Sequence, residues 1–305
     1  MKHLRTLFDW TADDVAATLD LAAELKADAK SGARRSLLPG RVLVQIFEKP
    51  SLRTRASFEA AMIHLGGQGL FFTAGEVGLD GRESLEDVAR VVGGYADIIT
   101  LRTFAQSTVD LFAELSGVPV VNGLTDDFHP CQALTDLLTV REHFGRQLPG
   151  RFVYVGDGNN VAKSLVLGCG MAGLPVTVAA PEGFAMPADF ASRAREHCPA
   201  LDLLETSDVH AAVTEAAVVY TDVWASMGQE SEKDARSKAF AAFQVNDGLM
   251  AKAPREAIFL HCLPARRGLE VTDSVMESPR CLAFPQAENR MHAAKAVFAR
   301  LLDVA

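Results

Sequence analysis

The sequence predicts an α/β protein built as two doubly wound parallel-sheet domains. Two observations predict this. The length of 305 residues exceeds what one hydrophobic core usually supports. Short apolar or β-branched runs alternate with helix-like stretches along almost the whole chain, the pattern of parallel strands covered on both faces.

The elements follow in order. Thr11 and Asp14 stand at capping-box spacing before apolar Val15, Leu19, Leu21 and Leu25, a helix start. Residues 41–47 form a β-branched run, 55–65 a helix and 70–73 a strand. A helix over 84–92, a strand over 97–101, a helix over 108–115 and a strand over 118–121 come next. A long helix starts at Pro130, a residue suited to a first helical position, and runs to about Phe144. Gly145 to Gly150 hold two glycines and a proline, so the boundary is expected there, with domains over 1–147 and 148–286. Strands are expected at 152–155, 176–179, 201–204, 218–221 and 258–260, with helices between them and a last helix over 287–302. There is no internal repeat and no low-complexity tract.

Composition narrows the function classes. Apolar residues make up 49% and charged residues 23%, as in soluble globular proteins. A net charge of −9 without a run of one sign argues against a nucleic-acid or membrane partner. A few arginines still suffice to hold a small anion. Five cysteines, an odd number with no CxxC pair, point to a reducing compartment rather than a disulfide framework. The opening residues carry neither a signal-peptide core nor a presequence pattern, and no run is long enough to cross a bilayer, so a cytoplasmic protein is expected.

Chemistry concentrates at strand ends, where open parallel sheets bind ligands. Ser51-Leu52-Arg53-Thr54-Arg55 places hydroxyls, a guanidinium and helix-start N–H groups where a phosphate could be cradled. A capped surface turn explains the same residues equally well. Arg102 ends another strand, where a surface charge is the blander reading. His129 and Gln132 are spaced to face one ligand across a helix start, as donors to a carbonyl oxygen. A helix cap beside a buried Cys131 is the alternative. Gly156 to Ser164 fails the dinucleotide pattern at Val161 and the P-loop pattern at Asp157 and Ala162, leaving Asn160 to meet a ligand. Asp222 to Gly228 offers a carboxylate for an ammonium group and runs into a polar loop that could act as a lid, or is an ordinary loop in which Trp224 and Met227 would be odd. In His261 to Gly268, Cys262 stands near arginines that favour a thiolate. Arg290 in Glu288-Asn289-Arg290 could add a guanidinium to an anion site. His129, Cys131, His261, Cys262 and His292 lack structural-zinc spacing, so no metal and no organic cofactor is expected.

Taken together, SLRTR, HPCQ, DVWASMGQ, HCLPARRG and ENR resemble, in order and over nearly the whole chain, the aspartate/ornithine carbamoyltransferase family. The third and fourth resemble its ornithine branch. The resemblance implies a carbamoyl-phosphate domain, an ornithine domain and a terminal helix, 287–305, packing back on the first. It implies that Ser51, Leu52, Arg53 and Thr54 hold the phosphate and that Arg102 bridges phosphate and carbonyl. His129 and Gln132 would contact the carbamoyl group, with Arg290, Cys262 and Leu263 completing that site. Asn160, Asp222, Ser226 and Met227 would grip ornithine, and Cys262 with Asp222 would position the reacting amine. The implied activity carbamoylates L-ornithine to L-citrulline, as in arginine biosynthesis, by a homotrimer or a multiple of trimers. Leu52 departs from the family's usual Thr, and Gly78 stands where many relatives carry a Gln or His that reaches a neighbouring subunit. An acylated ornithine or a diamine as acceptor, a non-catalytic carbamoyl-phosphate-binding relative, and a dehydrogenase are the competing readings. The intact Arg53, Asp222 and Cys262 count against the non-catalytic one.

Overall fold

The computed structural model describes residues 2–79, 81–225 and 232–304. The chain divides into two compact units, Met1–Leu138 with Glu288–Ala305, and Thr139–Ala287.

The first unit begins with α1 (Ala12–Lys30) and continues through β1 (Val42–Phe47), α2 (Leu52–His64), β2 (Gln68–Thr73), α3 (Leu85–Gly93), β3 (Ile98–Arg102), α4 (Gln106–Leu115) and β4 (Val120–Leu124) to α5 (Pro130–Phe144). The division between the units falls inside α5. The four strands form a parallel sheet in the order β2-β1-β3-β4. Leu43, Ile46, Ile98 and Ile99 in the central strands are fully buried, which explains their unbroken apolar runs. On the edge strand β2, Leu70 stays 46% exposed, and exposed residues alternate with half-buried ones along its first four positions. Val44, Ile99, Val109 and Phe112 join one core on this sheet.

The capping box at the start of α1 forms as expected: Thr11 Oγ1 accepts from the Asp14 N–H at 3.1 Å and Asp14 Oδ2 from the Thr11 N–H at 3.1 Å. α2 begins a turn earlier than expected because Ser51 caps it, its Oγ accepting from the Thr54 N–H at 3.3 Å.

The second unit contains β5 (Arg151–Val155), α6 (Asn160–Ala172), β6 (Val176–Ala179), α7 (Ala188–His197), β7 (Leu203–Thr206), α8 (Val209–Ala212), β8 (Ala216–Thr221), α9 (Lys233–Phe240), α10 (Asp247–Met250), β9 (Ile258–His261) and α11 (Asp273–Met276), and within it α12 (Ala283–Leu301) begins. Its sheet is parallel throughout, in the order β7-β6-β5-β8-β9. Val153, Val219, Phe240 and Phe259 lie in one core on this sheet.

α12 starts at Ala283 rather than at 287. Pro285 falls in its first turn, where the missing N–H costs no intrahelical bond. From Glu288 onward α12 belongs to the first unit. There Lys295 Nζ donates to the Leu25 carbonyl at 2.7 Å, Arg300 reaches Asp14 at 3.1 Å, and the Phe298 ring meets Phe58 edge-on. Among the described residues no helix is long and apolar enough to cross a membrane.

Candidate active site

In each sheet the strand order reverses at one point, and ligands of such folds bind beyond the carboxyl ends of the strands flanking it. In the first unit this point lies between β1 and β3, where Phe47 pairs with Arg102. In the second it lies between β5 and β8, where Val155 pairs with Thr221. The chain leaves these four strand ends as the Ser51 segment, Arg102, the Gly156 turn and Asp222.

At the first switch point a set of buried side chains converges on one hydroxyl. Thr54 Oγ1 accepts from Arg290 Nη2 at 2.8 Å, from Ser51 Oγ at 3.0 Å and from Arg102 Nη1 at 3.5 Å. Arg102 and Arg290 are only 7% and 6% exposed. Two buried guanidiniums meeting at one oxygen concentrate positive charge there, a setting that suits an anion. Arg290 Nη1 also donates to Gln132 Oε1, and Gln132 Nε2 donates to Asp136 Oδ1 at 2.7 Å. His129 is buried in the same unit, and burial, with the charges of Arg290 and Arg102, holds its imidazole well below the ordinary histidine range. It is therefore neutral near pH 7 and can offer a proton to a carbonyl oxygen. Arg53, on the first turn of α2, is half-buried and has no hydrogen-bond or ion-pair partner among the described residues.

At the second switch point Asp222 is the hub. Its Oδ1 accepts from the Val223 N–H at 2.7 Å and from the Cys262 thiol at 3.0 Å, and its Oδ2 lies 3.5 Å from Asn159 Nδ2. Asn159 caps α6, its Oδ1 accepting from the Val161 and Ala162 N–H groups and from the Tyr154 hydroxyl. Arg236 Nη1 donates to Asp157 Oδ2 at 2.6 Å and to the Trp224 carbonyl at 3.1 Å. Burial raises the Asp157 carboxyl above its usual range, and Arg236 opposes that rise. Beyond β9 the His261 Nδ1 accepts from the Leu263 N–H at 2.8 Å, and Leu263 has a left-handed φ of 58°. Buried Glu270 stands 3.4 Å from His261 Nε2.

The structure thus brings Ser51, Thr54, Arg102, Gln132 and Arg290 into one network, and Asp222 and Cys262 into another. It treats other sequence expectations differently. Leu52 is 78% exposed, so on α2 only its backbone contributes to a helix-start anion cradle. The Asn160 side chain accepts from the Val161 N–H, while its neighbour Asn159 reaches Asp222. The thiol of Cys262 faces a carboxylate rather than an arginine, and Arg267 is paired with Asp273 and Glu277. Gly78 has φ +78°, a conformation that favours glycine over a longer side chain. Trp224 is buried, stacked on Phe240, not set in a surface loop. Ser226 and Met227 lie outside the described residues, and the expected polar loop over 229–238 is helical from Lys233, in α9. Asp222, His261 and Cys262 offer three ligand atoms within 4.8 Å of one another, a grouping with the donor chemistry of a metal site. Sequence spacing overlooked it because Asp222 comes from a different strand. In the structure its thiol and imidazole are engaged in the hydrogen bonds above. Sequence reading also missed Asp136, Asn159, Arg236 and Glu270, which work on other side chains rather than at a motif's exposed end.

Two family descriptions match the chain. "Aspartate/ornithine carbamoyltransferase, carbamoyl-P binding domain" matches residues 2–142, and "Aspartate/ornithine carbamoyltransferase, Asp/Orn binding domain" matches residues 150–301. An ornithine carbamoyltransferase of Acidothermus cellulolyticus is 48% identical over 307 residues, covering 100% of this chain and 98% of its own. One of Desulfotalea psychrophila is 46% identical over 301 residues, covering 98% and 99%. The solved ornithine carbamoyltransferase of Pyrococcus furiosus has a TM-score of 0.94 and 44% identity, over 99% of this chain and 97% of its own. Both halves of the chain, and the arginine-rich and carboxylate-centred networks they carry, are accounted for together: the chain belongs to the aspartate/ornithine carbamoyltransferase family.

Proposed function

We propose that this protein transfers the carbamoyl group of carbamoyl phosphate to the side-chain amine of L-ornithine, releasing L-citrulline and phosphate. The single observation that carries the donor half is the convergence of Arg102 and Arg290 on Thr54 Oγ1 at the β1/β3 switch point. Such a cluster suits a doubly charged phosphate. Arg53, Ser51 and the α2 N-terminus, including the Leu52 N–H, add donors for it. Arg102 and neutral His129 polarise the carbamoyl oxygen and stabilise the oxyanion that develops on attack. Gln132 and Arg290 hold the carbamoyl group.

The acceptor half rests on Asp222. Its carboxylate holds the α-ammonium of ornithine, with Asn160, Ser226 and Met227 as further contacts, and Cys262 lies near the reacting amine. A free alkylamine is protonated at pH 7, with a pKa near that of lysine, about 10.4. The site therefore binds the side-chain amine neutral, and the departing phosphate takes the proton released on attack. Units 1 to 138 with 288 to 305, and 139 to 287, serve as carbamoyl-phosphate and ornithine domains. The working assembly is a homotrimer or a multiple of trimers, and the pathway is arginine biosynthesis.

The test is release of phosphate from carbamoyl phosphate in the presence and absence of ornithine. The expected result is ornithine-dependent phosphate matched by citrulline, reduced at least about a hundredfold in Arg53→Ala. Phosphate release that ignores ornithine would contradict the proposal.

A further inference from the structure

Asp136 is fully buried one helical turn beyond Gln132 on α5, and no motif of the sequence includes it. Its Oδ1 accepts from Gln132 Nε2 at 2.7 Å. At the other end of the same amide, Gln132 Oε1 accepts from Arg290 Nη1. A guanidinium has only donors and a carboxylate only acceptors. Rotating the amide by half a turn would set N–H against N–H at Arg290 and oxygen against oxygen at Asp136. The amide therefore has one orientation, with its carbonyl on the Arg290 side.

That orientation matters for the donor substrate. Thr54 Oγ1 already receives Ser51, Arg102 and Arg290, so its lone pairs are taken. Gln132 Oε1 receives one donor, and its second lone pair has none among the described residues. A carbamoyl group differs from an acetyl group in carrying –NH2 where the other carries –CH3. Only an acceptor can reward that difference. We propose that Asp136 is a specificity-determining positioning residue: by locking the Gln132 amide it presents a carbonyl to the carbamoyl –NH2 and selects carbamoyl phosphate over other acyl phosphates. This rests on the carbamoyl-phosphate reading of the first unit.

The experiment measures KM for carbamoyl phosphate, and inhibition constants for acetyl phosphate and inorganic phosphate, in the full-length enzyme. In Asp136→Ala the KM for carbamoyl phosphate rises about tenfold, the scale of one hydrogen bond, while the two inhibition constants move less than about twofold. Asp136→Asn, whose carbonyl still accepts from Gln132 Nε2, stays within about threefold of wild type. A second pair does not depend on the alanine variant folding. Gln132→Glu sets two carboxylates face to face and weakens carbamoyl phosphate binding. Adding Asp136→Asn restores a donor opposite an acceptor and recovers about tenfold. Parallel weakening of all three ligands in Asp136→Ala, or no recovery in the double variant, overturns the role of Asp136. A wild type that neither uses carbamoyl phosphate nor binds phosphate overturns the donor reading, and this inference with it.

Discussion

Thr54 is a buried residue in the first turn of α2. As a letter in SLRTR it is one hydroxyl among several. In the fold its Oγ1 is where Arg102 and Arg290, 188 positions apart in sequence, meet. Thr54→Val keeps shape and removes that oxygen. Hydrogen bonds to charged groups contribute about 1.5–3 kcal/mol, so Thr54→Val should lower stability by about that much, read from denaturant unfolding. Cys262 makes the complementary case. Cys262→Ala removes the donor to Asp222 Oδ1 and should lower kcat/KM for ornithine about tenfold, leaving the binding of phosphate alone unchanged. A parallel loss of phosphate affinity would contradict the division of roles. Arg102, His129 and Asp222 stood out as polar residues at or just beyond parallel strand ends, where spacing alone left blander readings open and the family resemblance supplied the roles. Asp136, Asn159 and Glu270 did not stand out, because a buried partner of a polar side chain has no periodic signature of its own.

α2 and α12 both start before the residues the sequence predicts, and the differences have physical causes. α2 begins at Leu52 because Ser51 supplies a side-chain cap, so the anion-binding segment is itself the first helical turn. Ser51→Ala should cost about 1 kcal/mol of stability, read from denaturant unfolding, and should also weaken phosphate binding. α12 begins at Ala283, before the expected 287, since a proline in the first turn costs no intrahelical hydrogen bond. The same helix carries a pH dependence. Burial, then the nearby charges of Lys295 and Lys26, lowers His292 to about 4. An unfolded histidine takes up its proton near 6.5, which the native helix resists until about pH 4. The unfolded state then binds more protons, so this contribution is fully present above pH 6.5 and is lost as pH falls toward 4. The drop in melting temperature between pH 7.5 and 5 should be smaller in His292→Gln than in wild type.

For the molecule as a whole, alternating strands and helices made both parallel sheets legible, since strands buried on two faces leave continuous apolar runs. Edge strands were shifted, as with β7, expected at 201–204 and found at Leu203–Thr206, because an edge is only partly buried. Charge composition described the whole surface and could not report the arginine cluster hidden within it. That cluster predicts an order of addition. Carbamoyl phosphate neutralises the buried guanidiniums and should bind first, so the ornithine analogue norvaline should bind tightly only when carbamoyl phosphate or phosphate is present, as measured by calorimetry with each ligand alone and together. Equal affinity in both conditions would rule the order out. The identity of the acceptor is what the Asp222 network decides. The most direct measurement is kcat/KM, with saturating carbamoyl phosphate, for ornithine, N-acetylornithine, putrescine and aspartate in parallel. Citrulline formation from ornithine should be at least about a hundredfold more efficient than any product from the other three, since N-acetylornithine and putrescine lack the α-ammonium of a free amino acid and aspartate lacks the side-chain amine. A preference for N-acetylornithine or putrescine would contradict it, because neither presents the free α-amino acid that Asp222 is taken to hold.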